Sequence, residues 1–342
     1  MRYFFKAAAL FTISISGTAY GQQVTPAKFF ADTSMIDATL SLNINRVLSH
    51  RDKEGFRVPA TFTYTIPGSQ PVTDTLDAEL RGHFRRDYCY LPPLRLMFNT
   101  KKDASLSKLK ALKLVSICKP FGDYDQYIIK EYLVYKIFNV ISDMSFRVRL
   151  LKINYEDSSG KKKGWTGHAF LLEDIKDLAK RNNSAEWAKT KVATEATNHH
   201  RMTLVSIFEY MIGNTDWAVP VDHNIRLLRV LSDSLAVPYA VPYDFDYSGL
   251  VNAEYAVPDE RLNIDNVQQR LYRGFPRQPG EINQILDIFK EKKDAIYNII
   301  NNCDLLDKHS KGDMISYLDG FYKIISDPDE VKLRFITNAR VE

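Results

Sequence analysis

Thr39-Leu40-Ser41-Leu42-Asn43-Ile44-Asn45 alternates polar and apolar side chains without a break. Successive side chains of an extended chain point to opposite faces, so this period of two predicts a half-buried strand over 39–45. Outward from it, 60–66 reads as a second strand closed by the turn Pro67-Gly68, and 73–80 and 94–98 as the next two. Pro92-Pro93, which cannot donate to a ladder, marks the start of the last. The apolar run 112–117 predicts a buried strand that ends at Lys119-Pro120.

Beyond Gly122-Asp123 the period changes. Ile129, Leu133, Ile137 and Ile141 recur every fourth residue, which predicts an amphipathic helix over 127–142. Strands 146–155 and 166–172 follow, joined by a lysine-rich polar turn. The second half turns helical, with helices over 197–213, 279–303 and 309–326 and strands at 224–230 and 237–245. Strands gathered in the first half and helices in the second predict an α+β fold of two lobes.

The chain of 342 residues is 45% hydrophobic and 26% charged, the composition of a folded globular protein, and its formal charge of +4 leaves no nucleic-acid footprint. Arg2 and Lys6 precede an apolar run from Ala7 to Ile15 and the small-residue site Ala19-Tyr20-Gly21, the plan of a cleaved secretory signal. An exported protein, periplasmic or secreted, is therefore expected, with no stable membrane anchor after cleavage. Of the three cysteines, Cys89 and Cys118 could pair and leave Cys303 over. Three buried small hydrophobes is the preferred reading, because a chain this long does not need a staple. No Cys and His spacing matches a structural zinc site.

The densest set of chemistry-bearing residues is Asn214-Thr215-Asp216-Trp217, then Asp222-His223-Asn224, then Tyr243-Asp244-Phe245-Asp246-Tyr247. Asn and Asp favour turns and caps for local reasons, but here carboxylates and an amide recur at the ends of expected elements. On a strand, Asp244 and Asp246 point to the same side. Two carboxylates and an Asn amide are hard oxygen ligands suited to magnesium, which completes its shell with water and phosphates. The neighbouring aromatics read mostly as core. Lys113 within the 112–117 strand, Lys119 at its end and Glu131 on the following helix could form an ion pair that holds a lysine toward nucleotide phosphates. Arg81-Gly82-His83-Phe84-Arg85-Arg86 could lay guanidinium and amide groups on phosphate oxygens.

This order of residues, from about Leu80 to Gly249, resembles the spore-coat-protein H (CotH) kinase family and, more remotely, HipA-like and secretory-pathway atypical kinases. The resemblance rests on Arg81-Gly82, the strand and helix through Lys119 and Glu131, and Gly167-His168-Ala169-Phe170-Leu171-Leu172-Glu173. It rests further on Asn214-Thr215-Asp216, His223-Asn224 and Pro242-Tyr243-Asp244-Phe245-Asp246. It implies a two-lobed protein-kinase-like fold: signal peptide 1–21, strand-rich segment 22–80, N-lobe 81–185 and helical C-lobe 186–342. It implies an atypical kinase that uses magnesium and ATP, or another nucleotide, to phosphorylate a protein or surface-polymer hydroxyl. In that reading Asp216 is catalytic, Asn224 and Asp244 bind magnesium with Asp246 assisting, and Lys113 or Lys119 contacts phosphates. Glu131 holds the lysine, and Arg81 and Glu173 belong to the nucleotide side. The eight-residue step from Asp216 to Asn224 is wider than in ordinary protein kinases, and His83-Phe84 replaces the family's usual Ser and Lys. The alternatives are a non-catalytic envelope-binding or structural module and a metal-dependent hydrolase using the same acids.

Overall fold

The structure is a computed structural model, and it describes residues 25–82, 84–98, 106–187, 191–235 and 237–340. The expected signal peptide and His83 lie outside the described residues. The elements run α1 Pro26–Ala31, β1 Ile36–Leu42, α2 Ile44–Leu48, β2 Arg57–Thr65, β3 Val72–Leu80, α3 Phe84–Tyr88, β4 Leu94–Phe98 and β5 Ala111–Ser116. They continue α4 Tyr124–Ile141, β6 Val148–Asp157, β7 Trp165–Leu172, α5 Ile175–Arg181, β8 Ser184–Glu186, α6 His199–Ile212, β9 Ile225–Val230 and β10 Pro238–Pro242. Helices α7 Pro279–Glu291, α8 Lys293–Asn301, α9 Lys308–Ile325 and α10 Pro328–Lys332 complete the chain.

Strands β1 to β7 close into a barrel in the order β1-β2-β3-β4-β5-β7-β6. The expected two-lobed protein-kinase-like fold is therefore not formed. What overturns it is the parallel pairing of β1 with β6, Ile36 opposite Leu151 through Leu42 opposite Asp157, which joins strands from both sides of the expected boundary at residue 80. All other neighbours in the barrel are antiparallel. Its interior is filled, with Leu40, Leu42, Val58, Ala78, Leu96 and Ile153 fully buried, so the barrel is a packed core rather than a channel. Each such Leu, Val or Ile side chain contributes on the order of 1.5–3 kcal/mol by leaving water.

The strand expected over 39–45 stops three residues early, at Leu42. Asn43 leaves the strand as the N-cap of α2, its side chain accepting the Arg46 amide, and Ile44 is buried as the first helical residue. Strands β5, β6 and β7 serve two cores. Leu112, Leu114, Leu151, Ile153 and Leu171 fill the barrel, whereas Val115, Val148, Leu150, Phe170 and Leu172 face a second core built around α4, α6 and the C-terminal helices. Burial on both faces accounts for the apolar runs Leu114-Val115, Leu150-Leu151 and Ala169-Phe170-Leu171-Leu172. A second sheet, ordered β10-β9-β8, lies in this half. Among the described residues no helix is long and apolar enough to cross a membrane.

Cys89 and Cys118 are joined by a disulfide, which corrects the preferred reading of three free thiols; Cys303 is free. The physical reason is local. Helix α3, just before Cys89, buries none of its side chains, so chain length elsewhere does not fix this segment. The bond ties it to the chain just beyond β5.

Candidate functional site

A cavity of about 610 Å³ opens where the ends of β3, β4 and β5 meet the turns around β9 and β10. From the barrel side come Arg81, Arg85, Arg95 and Lys113; from the other side come Asp216, Asp222, His223, Asn224, Arg226, Asp244 and Asp246. Residues far apart in sequence thus bring a cation-rich barrel side against a side rich in acids and amides that also carries Arg226.

The acidic wall is shaped by left-handed backbone. Asp222, Asn224 and Asp244 have φ of 52°, 52° and 66°, a region that Asn and Asp enter more readily than other side chains. β10 ends at Pro242, short of the expected 237–245 strand, because the Asp244 N–H is donated to Tyr135 Oη at 2.8 Å rather than to a neighbouring strand. Asp244 and Asp246 therefore reach the cavity from a turn. Asp244 makes no side-chain hydrogen bond or ion pair among the described residues, and its carboxylate is open to the cavity.

Helix α6 ends at Gly213, whose φ of 68° makes the turn into Asn214-Thr215-Asp216. Asn214 Oδ1 accepts the Asp216 N–H at 3.0 Å. Asp216 then holds two partners: Oδ1 lies 2.7 Å from His223 Nε2, and Oδ2 accepts from Asn224 Nδ2 at 3.0 Å. Asn224 Nδ2 also donates to the Asp216 carbonyl at 2.7 Å. The amide nitrogen of Asn224 is thus spent within the loop, leaving its oxygen for another group. The hydrogen bond to Asp216 raises the His223 pKa, against a smaller lowering by burial.

Of the two lysines considered, Lys113 lines the cavity. Its ammonium stands 4.3 Å from the centre of the Tyr243 ring, which Arg226 approaches at 5.5 Å. Burial first, and then the charge of Arg81, lower its pKa to about 7, with Asp244 opposing. Lys119 is placed elsewhere: it donates to Tyr88 Oη at 3.0 Å and lies 3.7 Å from Glu254, outside the cavity wall. Arg81 donates to the Leu94 carbonyl at 3.4 Å, and burial lowers its pKa while Asp244 opposes.

Glu131 is 1% exposed on α4, and it pairs with neither lysine among the described residues. Its charged neighbours are Asp246, Asp244 and Arg85. Burial and then the two acids push its pKa well above the carboxylate range. Asp246 is committed to protein partners, 3.5 Å from Arg85 Nη1 and accepting from Tyr255 Oη at 3.0 Å; burial and then Asp244 raise its pKa to about 6. Glu173 sits away from the cavity, where Arg181 at 2.8 Å and the Arg147 amide at 3.0 Å clasp it between β7 and α5. Trp217, Tyr243 and Phe245 are core, and Tyr247 lines the wall.

Sequence reasoning did not assign roles to Arg226 and His223. Arg226 had a signal, being the one charged residue in the first four positions of an otherwise apolar β9. Among the described residues, no group of three or more His, Cys, Asp and Glu side chains gathers to hold a metal ion. Asn224 Oδ1 and the unpartnered Asp244 carboxylate supply only two oxygen donors. That set fits a magnesium ion that arrives already carrying water and phosphate oxygens, and not a metal held by protein alone. In comparisons with known proteins, no family model and no curated protein matches the chain.

Proposed function

We propose that the cavity binds a magnesium–nucleotide polyphosphate and that the protein transfers a phosphoryl group to a hydroxyl. The observation that carries this reading is the meeting in one cavity of cations, Arg81 and Lys113 from the barrel side and Arg226 from β9, with Asp216, Asn224 and the unpartnered Asp244. The reading keeps the reaction class implied by the resemblance and rests on cleft chemistry alone. Phosphoryl transfer needs chiefly positioning and charge neutralisation, which fixed cations supply. Lys113, Arg81 and Arg226 hold phosphate oxygens. Asn224 Oδ1 and Asp244 hold magnesium, which when bound neutralises phosphate charge. Asp216, fixed by Asn214, His223 and Asn224, orients the acceptor hydroxyl and takes its proton. The Cys89–Cys118 disulfide supports an exported location for this activity.

The test is thermal unfolding of the whole chain with magnesium and a panel of nucleotides. Binding at one hundred times Kd stabilises the folded state by ~2.7 kcal/mol. The combined shift should need both magnesium and nucleotide and should vanish in Asp244→Asn; no shift with any nucleotide sinks the reading. A second reading, a non-catalytic binding module, is favoured by the commitment of Asp246 to Arg85 and Tyr255. It predicts that Asp216→Asn leaves the biological role intact.

A further inference from the structure

Helix α4 serves two sites. Tyr135 accepts the Asp244 N–H, and Glu131, one turn before it, has Asp244 and Asp246 as charged neighbours. Lys136 and Asn139, three residues apart, present another face of the helix to a smaller cavity of about 210 Å³. Phe30 and Thr33 come to it from the end of α1 and the chain beyond, Ser145 and Arg147 from the chain entering β6, and Arg181 from the end of α5. Its volume is below the roughly 300–1,000 Å³ of sites for drug-sized ligands, so it suits a small ion or the terminal group of a larger molecule. It shares no lining residue with the nucleotide cavity.

The walls are fixed by contacts that leave two cations over. Buried Arg149 donates to the Phe29 and Asp32 carbonyls at 2.9 and 2.7 Å, and to the Asp32 carboxylate and Ser34 Oγ at 2.9 Å each, which pins the chain after α1 beside the cavity. Arg181 gives four of its five N–H groups to Glu173 and to the Asp143 and Ser145 carbonyls. Asn139 Nδ2 donates to Ser145 Oγ at 2.9 Å and to the Phe146 carbonyl at 2.8 Å. Lys136 and Arg147 are half-buried, and neither side chain has a hydrogen bond or ion pair among the described residues. Burial, and then the charge of Arg147, lower the Lys136 pKa, with no acid opposing. The nearby acids are placed otherwise. Asp32 pairs with Arg149 and Glu173 with Arg181, and Asp143, which also lines the cavity, is exposed and bridges to neither cation.

Two neighbouring half-buried cations repel each other unless an anion stands between them. A monocarboxylate offsets only one of them. A dianion with several oxygens offsets both, and the planar guanidinium takes two such oxygens side by side while the ammonium takes a third. We propose that this cavity is a second anion site, for inorganic phosphate or the terminal phosphate group of a larger molecule, held by Lys136 and Arg147 and separate from the nucleotide cavity. The site does not depend on phosphoryl transfer in the first cavity.

Isothermal titration calorimetry on the whole chain, at neutral pH and without magnesium, measures binding of inorganic phosphate and, separately, of glycerol 3-phosphate. At least one should bind. Binding of inorganic phosphate marks a free ion as the occupant, and binding of glycerol 3-phosphate alone marks a phosphate carried on a larger molecule. Lys136→Met and Arg147→Met should each weaken that binding by about tenfold or more, the loss of one charge-assisted hydrogen bond. Lys113→Met, in the first cavity, should leave it unchanged. Lys136→Met and Arg147→Met remove cations that have no partner, so both variants should stay folded, as the unfolding temperature without ligand checks. Three results overturn the assignment: neither ligand binds, binding keeps its parental affinity in Lys136→Met or in Arg147→Met, or Lys113→Met weakens it as much as they do.

Discussion

Replacing Lys113 by Met should make the protein more stable at neutral and mildly acidic pH, while removing a phosphate contact. Burial, and then Arg81, lower the Lys113 pKa from the ordinary 10.5 to about 7. At about 1.4 kcal/mol per pKa unit, holding this ammonium charged in the folded protein costs up to about 5 kcal/mol relative to the unfolded chain. The figure is an upper bound, because the amine reaches the cavity and is partly screened by water. The sign follows from proton counting. Below pH 7 both states carry the proton and the cost is complete; between 7 and 10.5 only the unfolded chain keeps it, so stability rises with pH there. Methionine has a similar length, fills the same space and does not titrate. Lys113→Met should therefore exceed the parent by about 2–5 kcal/mol at pH 6, and that advantage should shrink by up to about 3 kcal/mol by pH 9. Urea unfolding of both proteins at the two pH values, with the disulfide intact, gives the comparison, since other titrating groups cancel in the difference. A difference that is the same at both pH values, or a variant less stable at pH 6, refutes the reasoning.

Replacing Cys89 and Cys118 together by Ala should cost about 3–4 kcal/mol, from the loop entropy of a 29-residue separation, read as a lowered urea midpoint. Tyr135→Phe leaves the Asp244 amide without its acceptor; it should cost about 1–2 kcal/mol and weaken magnesium-dependent nucleotide binding, both measurable by thermal unfolding with and without ligand. His223, raised above 6.5 by Asp216 with Asp244 adding and burial and Arg273 opposing, holds the Asp216 carboxylate most tightly when protonated. Turnover should thus climb as pH rises through the His223 pKa, and in His223→Gln this acid limb should flatten; an unchanged pH profile removes His223 from the site.

The local elements were legible where their determinants are local. Strand 94–98 and the helices through Ile129 and Leu204 carry their period in their own side chains, and their observed bounds differ by few residues. The barrel was not legible, because its closing contact joins Ile36 to Leu151 and no local pattern specifies a partner that far away. At the site, the cluster around Asp216, Asn224 and Asp244 could be seen from composition, since acids and amides crowd turns there. Its geometry could not: a left-handed Asp244 with its amide turned to Tyr135 depends on α4, more than a hundred residues earlier. The same distance hid the engagement of Asp246 by Arg85, whereas the clasp of Glu173 by Arg181, eight residues on, was hidden because it depends on the turn from β7 into α5.

One discrimination that local reading left open follows from strand parity. Leu112 and Leu114 both fill the barrel, so Lys113 between them points to the opposite face, the one it shares with Val115 and the second core. A slip of one residue would put the ammonium into the barrel interior among aliphatic side chains, so the register of β5 is fixed by the cost of burying that charge. On its own face Lys113 meets Tyr243, which follows the end of β10 and whose N–H donates to the Asn224 carbonyl at 3.0 Å. Lys119 lies past the end of β5, where no barrel face constrains it, and it turns to Tyr88 and Glu254 instead. The apolar neighbours of Lys113 therefore select it as the lysine of the cleft, and the same neighbours force the charge cost that Lys113→Met would relieve.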